Sequence, residues 1–313
     1  MPEDGGRKTE GDSKEYERYG FNYNVSESGD APVKARKRIE VPEGAVSSKR
    51  AKVLDDLFLD RVTDNISHLG SVVSPLTDEE IEFSFDESDL VRRNETIALR
   101  SLMERHEDFD SGRLDELPHN GGFDYNIYTS GLLKKKARLA VVISAQVLSP
   151  LETHVVNGFS DEPLPPTKLH DLTAQCEHTK DVFYFLGVMS PTGVEPEVLQ
   201  AIPAGHDHAM AVITPRGSTA WDIHVIKNEH AGLLLDIFDP ESIDEKFERV
   251  RSSIENHPVM RRRNAYFPLK EAVKELKLSE RMVLRVFERM AEKHDFLEFR
   301  EIDGKPVLVN RQK

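Results

Sequence analysis

Three hydroxyl residues stand before prolines at the ends of three apolar runs. They are Ser149-Pro150 after "LAVVISAQVL", Ser190-Pro191 after "DVFYFLGVM" and Thr214-Pro215 after "AMAVIT". Proline has no N–H to give a strand ladder, so each run is expected to stop at the same level. If the runs are parallel strands, their hydroxyls gather at one carboxyl edge, where open α/β sheets bind ligands. Thr192, Gly193, Arg216 and Gly217 follow in the adjoining loops. Glycine lets backbone N–H groups approach an anion, the next helix turns its N-terminus to the same place, and Arg216 adds charge. The chemistry expected there is binding of a phosphate-bearing or nucleotide ligand. The alternative is three ordinary strand ends with solvated hydroxyls. Neither GxGxxG nor GxxxxGK[ST] occurs, so standard dinucleotide and P-loop sites are not indicated.

Cys176, His178, His206 and His208 fall after helices, at the opposite edge of the same sheet. Four such side chains are a donor set that zinc accepts. Their spacing fits no zinc finger, and histidine at a helix end also answers to the helix dipole. No metal is assigned, and the sequence names no cofactor. Asp222 and His224 lie on "TAWDIHVI" without a visible catalytic partner. No nucleophile elbow, HExxH or carboxylate–ExK pattern is legible. The expectation leans away from an enzyme, with an unrecognised DNA-processing nuclease kept as an alternative.

The element that must position the hydroxyls is a sheet covered on both faces, because its strands read as continuous apolar runs. Helices are expected at about 168–178 and 196–202, with "TAWDIHVI" (219–226) and "GLLLDIF" (232–238) as further strands. This predicts a Rossmann-like, mostly parallel α/β domain over 137–238. Ahead of it, 53–136 reads as a mainly helical lead-in. Leu54, Phe58, Val62, Ile66 and Leu69 mark one helical face, and a second helix follows Ser88 through Leu90, Ile97 and Leu102. "FDYNIY" (123–128) reads as a strand.

Charge is divided unevenly. Residues 53–256 carry 17 Lys+Arg against 37 Asp+Glu, and residues 257–313 carry 14 against 9. An acidic body repels a polyanion and a basic end attracts one. Residues 1–52 hold few apolar anchors and are expected to be a disordered tail. Its clusters "KARKR" (34–38) and "KRAK" (49–52) match a bipartite nuclear-import signal, a phosphate-binding arm or a solvated tail. One cysteine allows no internal disulfide, which fits a reducing compartment. No apolar run is long enough for a membrane span.

The end of the chain has its own order. A helix is expected behind "DPES", with Ile243, Phe247, Val250 and Ile254 as its buried face. Then come a short strand "NAYF", a helix "PLKEAVKEL", a tight turn "KLS", a longer helix to about 293, and a hairpin "FLEFREIDGKPVLV". Asp303-Gly304 favours a type I′ turn in that hairpin. This segment, about 241–313, resembles the winged helix-turn-helix family, and the domain is set at 239–313. The resemblance implies that the helix after the turn enters the major groove and that the wing touches backbone or minor groove. By position, Ser279, Arg281, Arg285 and Arg289 would face the groove. Lys270, Lys274 and Lys277 would reach phosphates, as would Arg261, Arg262 and Arg263. The wing carries Arg300 and Lys305 beside Glu298 and Glu301. Glu280, Glu288 and Glu292 on the long helix leave salt-bridged surface as the other reading.

The combined expectation is a DNA-binding regulator, cytoplasmic or nuclear, in which an anion at the sheet edge controls the winged helix. A protein-docking scaffold of a replication, repair or defence complex is the second expectation. A homo-oligomer is left open, and no membrane partner is expected.

Overall fold

The computed structural model describes residues 40–106, 110–129, 138–175, 181–200, 202, 205–216, 220–225, 229–258, 260, 262, 265–276 and 280–311. The first elements are β1 (Val46–Ser47) and α1 (Ser48–Ser67), then β2 (Ser71–Ser74), β3 (Glu79–Glu82) and β4 (Leu90–Arg93). Next come α2 (Thr96–His106), α3 (Ser111–Leu114), β5 (Gly122–Thr129) and β6 (Arg138–Val147). After β6 lie α4 (Leu151–Asn157), β7 (Phe159–Ser160), α5 (Pro166–Gln175), β8 (Phe183–Met189) and α6 (Pro196–Gln200). The trunk closes with β9 (His208–Arg216), β10 (Ala220–Val225) and α7 (Ala231–Phe238). A C-terminal module follows: α8 (Ile243–Asn256), β11 (Tyr266–Pro268), α9 (Leu269–Leu276), α10 (Glu280–Lys293), β12 (Leu297–Ile302) and β13 (Lys305–Asn310).

The fold is mixed α/β around a six-stranded sheet in the order β10-β9-β8-β6-β5-β4. β6, β8 and β9 are parallel; β4, β5 and β10 are antiparallel to their neighbours. The sheet is therefore mixed, not mostly parallel. On one face α1 and α7 pack on Phe123, Ile143, Phe185 and Ala211. On the other, Leu169 of α5 and Val198 of α6 cover Val142, Leu186 and Val212. Burial on both faces explains why β6, β8 and β9 read as unbroken apolar runs.

Three sequence expectations are corrected here. "GLLLDIF" is the helix α7, not a strand: Leu234, Ile237 and Phe238 are buried at helical spacing. A short apolar run carries no period that separates the two outcomes. Residues 53–136 are not a helical lead-in, because β4 and β5 join the central sheet, and the helix placed on Leu90 starts only at Thr96. Alternating polar residues at Asp124 and Asn126 are what an antiparallel strand with one open face requires. The tail does not extend to residue 52 either. Lys49, Arg50 and Lys52 lie in α1, which Ser47 caps by accepting the Arg50 N–H. The "KARKR" cluster lies outside the described residues.

The C-terminal module has its own core of Phe247, Val250, Ile254, Phe267, Val283, Phe287 and Leu308. Its three strands run in the order β11-β13-β12, all antiparallel. The hairpin turns at Asp303 (φ 50°) and Gly304 (φ 73°), the two positive φ values a type I′ turn needs. Helix α8 begins later than "DPES" suggests. Ser242 and Glu245 form a reciprocal capping box, which frees Asp239 for another role.

Candidate functional site

The three hydroxyls do meet at one edge. Val147 pairs with Met189 and Met189 with Ile213, so Ser190 and Thr214 lie level and Ser149 one residue beyond their line. All three are buried. The Ser190 hydroxyl donates to the Gly193 carbonyl at 2.6 Å, and the Gly193 N–H donates back to the Ser190 carbonyl at 3.3 Å. Leu164 crosses the same turn, donating its N–H to the Gly193 carbonyl at 3.0 Å. The Ser190 hydroxyl and the Gly193 N–H are spent on this turn, whereas the buried Ser149 hydroxyl has no hydrogen-bond partner among the described residues. Thr192 stands beside Ser190, hydroxyl to hydroxyl at 3.4 Å. Arg216 is exposed and lies 3.4 Å from Asp222. Gly217 is outside the described residues, and α6 is too short to act as an anion-binding helix.

Pro215 does not end its strand. β9 continues to Arg216, paired with β10. The N–H that proline lacks would point toward β8, which has already ended at Met189.

A denser polar knot joins this edge from the other side. Asn120, in the left-handed region at φ 47°, receives the Ser149 N–H at 2.7 Å. Its amide donates to the Ser149 carbonyl at 3.1 Å and to Glu95 at 2.8 Å. Buried Asp55 accepts N–H groups from His119 and Gly121. Burial pushes its carboxyl up, and those two N–H groups pull it back. These bonds fix how α1, α2 and β5 meet the end of β6.

Close by, His154 on α4 is fully buried. Its Nδ1 lies 3.3 Å from the Ser48 hydroxyl, which itself donates to the His154 carbonyl at 3.1 Å. The ring therefore donates from Nδ1 and leaves Nε2 unprotonated. Burial lowers its pKa from 6.5 to about 4. An unfolded chain takes up a proton below pH 6.5, whereas the folded one does not until about pH 4. Stability should therefore fall across that window, by on the order of 3 kcal/mol in all. Urea melts of wild type and His154→Leu between pH 7 and pH 4 check this. The wild type should lose midpoint more steeply on acidification.

Cys176 and His178 lie outside the described residues. His206 is exposed, and His208 opens β9 at the amino edge with Nδ1 on Asp207 at 2.8 Å. Among the described residues no group of three His, Cys, Asp or Glu is arranged to hold a metal ion.

One cluster escaped the sequence reading. β4, β5 and β6 bring Arg93, Asp124, Ser144 and Gln146 to one sheet face. Asp124 sits opposite Ser144 and pairs with Arg93. The buried Ser144 hydroxyl lies 3.4 Å from Arg93 and 3.5 Å from Gln146. The signal was the alternation in "FDYNIY" and the two polar residues breaking the second half of β6. It supplies one carboxylate, already neutralised by an arginine, which is little to hold the divalent ion of a nuclease.

In the C-terminal module, Lys270 and Lys274 are exposed one turn apart on α9, and Arg262 is exposed ahead of β11. Arg261, Arg263, Lys277 and Ser279 lie outside the described residues, as does the side chain of Arg281. Arg285 donates to the backbone carbonyl of His68 at the end of α1, at 2.6 Å. Arg289 lies 3.5 Å from Asp244 and over the Phe247 ring. Arg300 is 3.9 Å from Glu298, and Lys305 is exposed at the hairpin tip. Glu288 and Glu292 stand exposed on α10.

No family model, curated protein or solved structure matches the chain. Among the described residues no helix is long and apolar enough to cross a membrane. The site must therefore be read from its own chemistry.

Proposed function

We propose that the chain is a nucleic-acid-associated protein whose C-terminal module docks on duplex DNA as a winged helix-turn-helix. The observation that carries this reading is the arrangement of six elements. Helix, strand, helix, helix and hairpin close round one core, with β13 between β11 and β12. In that arrangement α9 and the first half of α10 face the duplex. Lys270 and Lys274 supply phosphate contacts, which position without reading sequence. Arg281 and Arg285 stand where base edges would be met. The trunk, a Rossmann-like layer in this reading, supports the module. Its carboxyl edge lends less support to a ligand sensor, because the Gly193 and Ser190 groups already bond each other.

The test is duplex binding by fluorescence anisotropy across salt. Lys270→Ala with Lys274→Ala should weaken binding evenly over different sequences. It should also lower the slope of log K against log salt by about 2. A wild-type chain that ignores duplex DNA at low salt sinks the proposal.

A second reading has an observation of its own. Glu288 and Glu292 share a side of α10 with Arg281 and Arg285, and acidic groups there suit a protein partner better than a phosphate backbone. In that case the chain would hold a partner through α10 at moderate salt and leave DNA alone.

A further inference from the structure

Arg285 is one of the two residues of α10 placed by position to read a base, yet it is held by the trunk. Its guanidinium donates to the carbonyl of His68, the C-cap of α1. The last carbonyls of a helix carry partial negative charge, so a cation is favoured there as it is beside a phosphate. The chain that leads into and out of this point is strongly acidic. From residue 62 to residue 91 there are eight Asp and Glu and no Lys or Arg.

The contact belongs to a larger joint. One turn before His68, the Asn65 amide donates to the Ile237 and Asp239 carbonyls at 3.0 and 2.9 Å. Lys246 of α8, buried, pairs with Asp239 at 3.3 Å. The module is thus held to the end of α1 through both α8 and α10.

Resting on the DNA-docking reading above, we infer that the trunk and a duplex compete for α10. The end of α1 holds Arg285, which lies on the side of α10 that would enter the groove. Docking on DNA therefore requires the Arg285–His68 contact to break, and the arrangement described is the closed one. Arg281, Glu288 and Glu292 share that side of the helix by their spacing, and Glu288 and Glu292 are exposed, so the hold of α1 on this side runs through Arg285.

The experiment uses the full chain with Ser67→Cys and Glu288→Cys in a Cys176→Ser background. The two cysteines are bridged by a short bis-maleimide containing a reducible disulfide. A control sample has both cysteines capped singly with maleimide. Thermal melts confirm that both samples are folded, and affinity for a mixed-sequence duplex is read by anisotropy at low salt. The bridged chain should bind at least tenfold more weakly than the capped one and recover when the linker is reduced. Equal affinity of bridged and capped chains overturns the competition while leaving DNA docking in place. No binding by bridged, capped or wild-type chain overturns both.

Discussion

Lys246→Ala should cost about 3–5 kcal/mol of stability, the range for stranding one partner of a buried ion pair. Lys246 is 1% exposed, and its ammonium reaches both the carboxylate and the carbonyl of Asp239. Burial raises the Asp239 carboxyl above its ordinary range, and Lys246 is the chief influence pulling it back. Removing the lysine leaves a carboxylate with little water, held only by the Glu241 N–H and the weaker field of Arg249. The double change Lys246→Met with Asp239→Asn should recover most of the loss, since replacing both partners spares the desolvation cost. Urea denaturation of wild type and the two variants at pH 7 measures this. A single variant within 1 kcal/mol of wild type, on the order of an exposed pair, would show that water reaches the site.

Gly187→Ala should also destabilise strongly. A methyl group built at Gly187 would lie 2.1 Å from the Phe238 ring, far inside contact distance. Gly187 is in the middle of β8, bonded to β6 and β9 on either side, so the strand cannot retreat. Phe238 is itself fully buried at the end of α7. Overpacking of this kind costs about 1–3 kcal/mol, and more where neither side can yield. Pairing the change with Phe238→Leu should return part of the stability, whereas Phe238→Leu alone should leave a cavity. Thermal melts of the single and double variants give the coupling directly, and additive losses would mean that the two residues do not meet.

Legibility in the sequence followed the physics of each element. The parallel trio β6, β8 and β9 was readable because burial on both faces writes unbroken Val, Ile and Phe runs. The hairpin was readable because Asp303-Gly304 answers a backbone demand that few residue pairs meet. α7 was not readable, since eight mostly apolar residues fit a buried helix and a buried strand alike. β4 was missed because an edge strand of "LVRR" shows little apolar pattern. At the candidate sites, residue type was visible and bonding was not. Ser190, Gly193 and Thr214 were placed together by strand order, but nothing local reveals that Leu164 returns to claim the Gly193 carbonyl. Arg285 likewise reads as a surface cation until α1 is seen to end beside it, more than two hundred residues earlier in the chain.

The bonding of Asn120 bears on how the protein ages. Asn120-Gly121 is the pairing most prone to spontaneous deamidation, which begins when the glycine nitrogen attacks the asparagine side chain. Here that nitrogen donates to Asp55, and the amide is held by Ser149 and Glu95. The folded chain thus shelters a bond that its unfolded form would leave to decay. The altered chain would also refold poorly, because the new carboxylate would face Glu95 and could no longer donate to it.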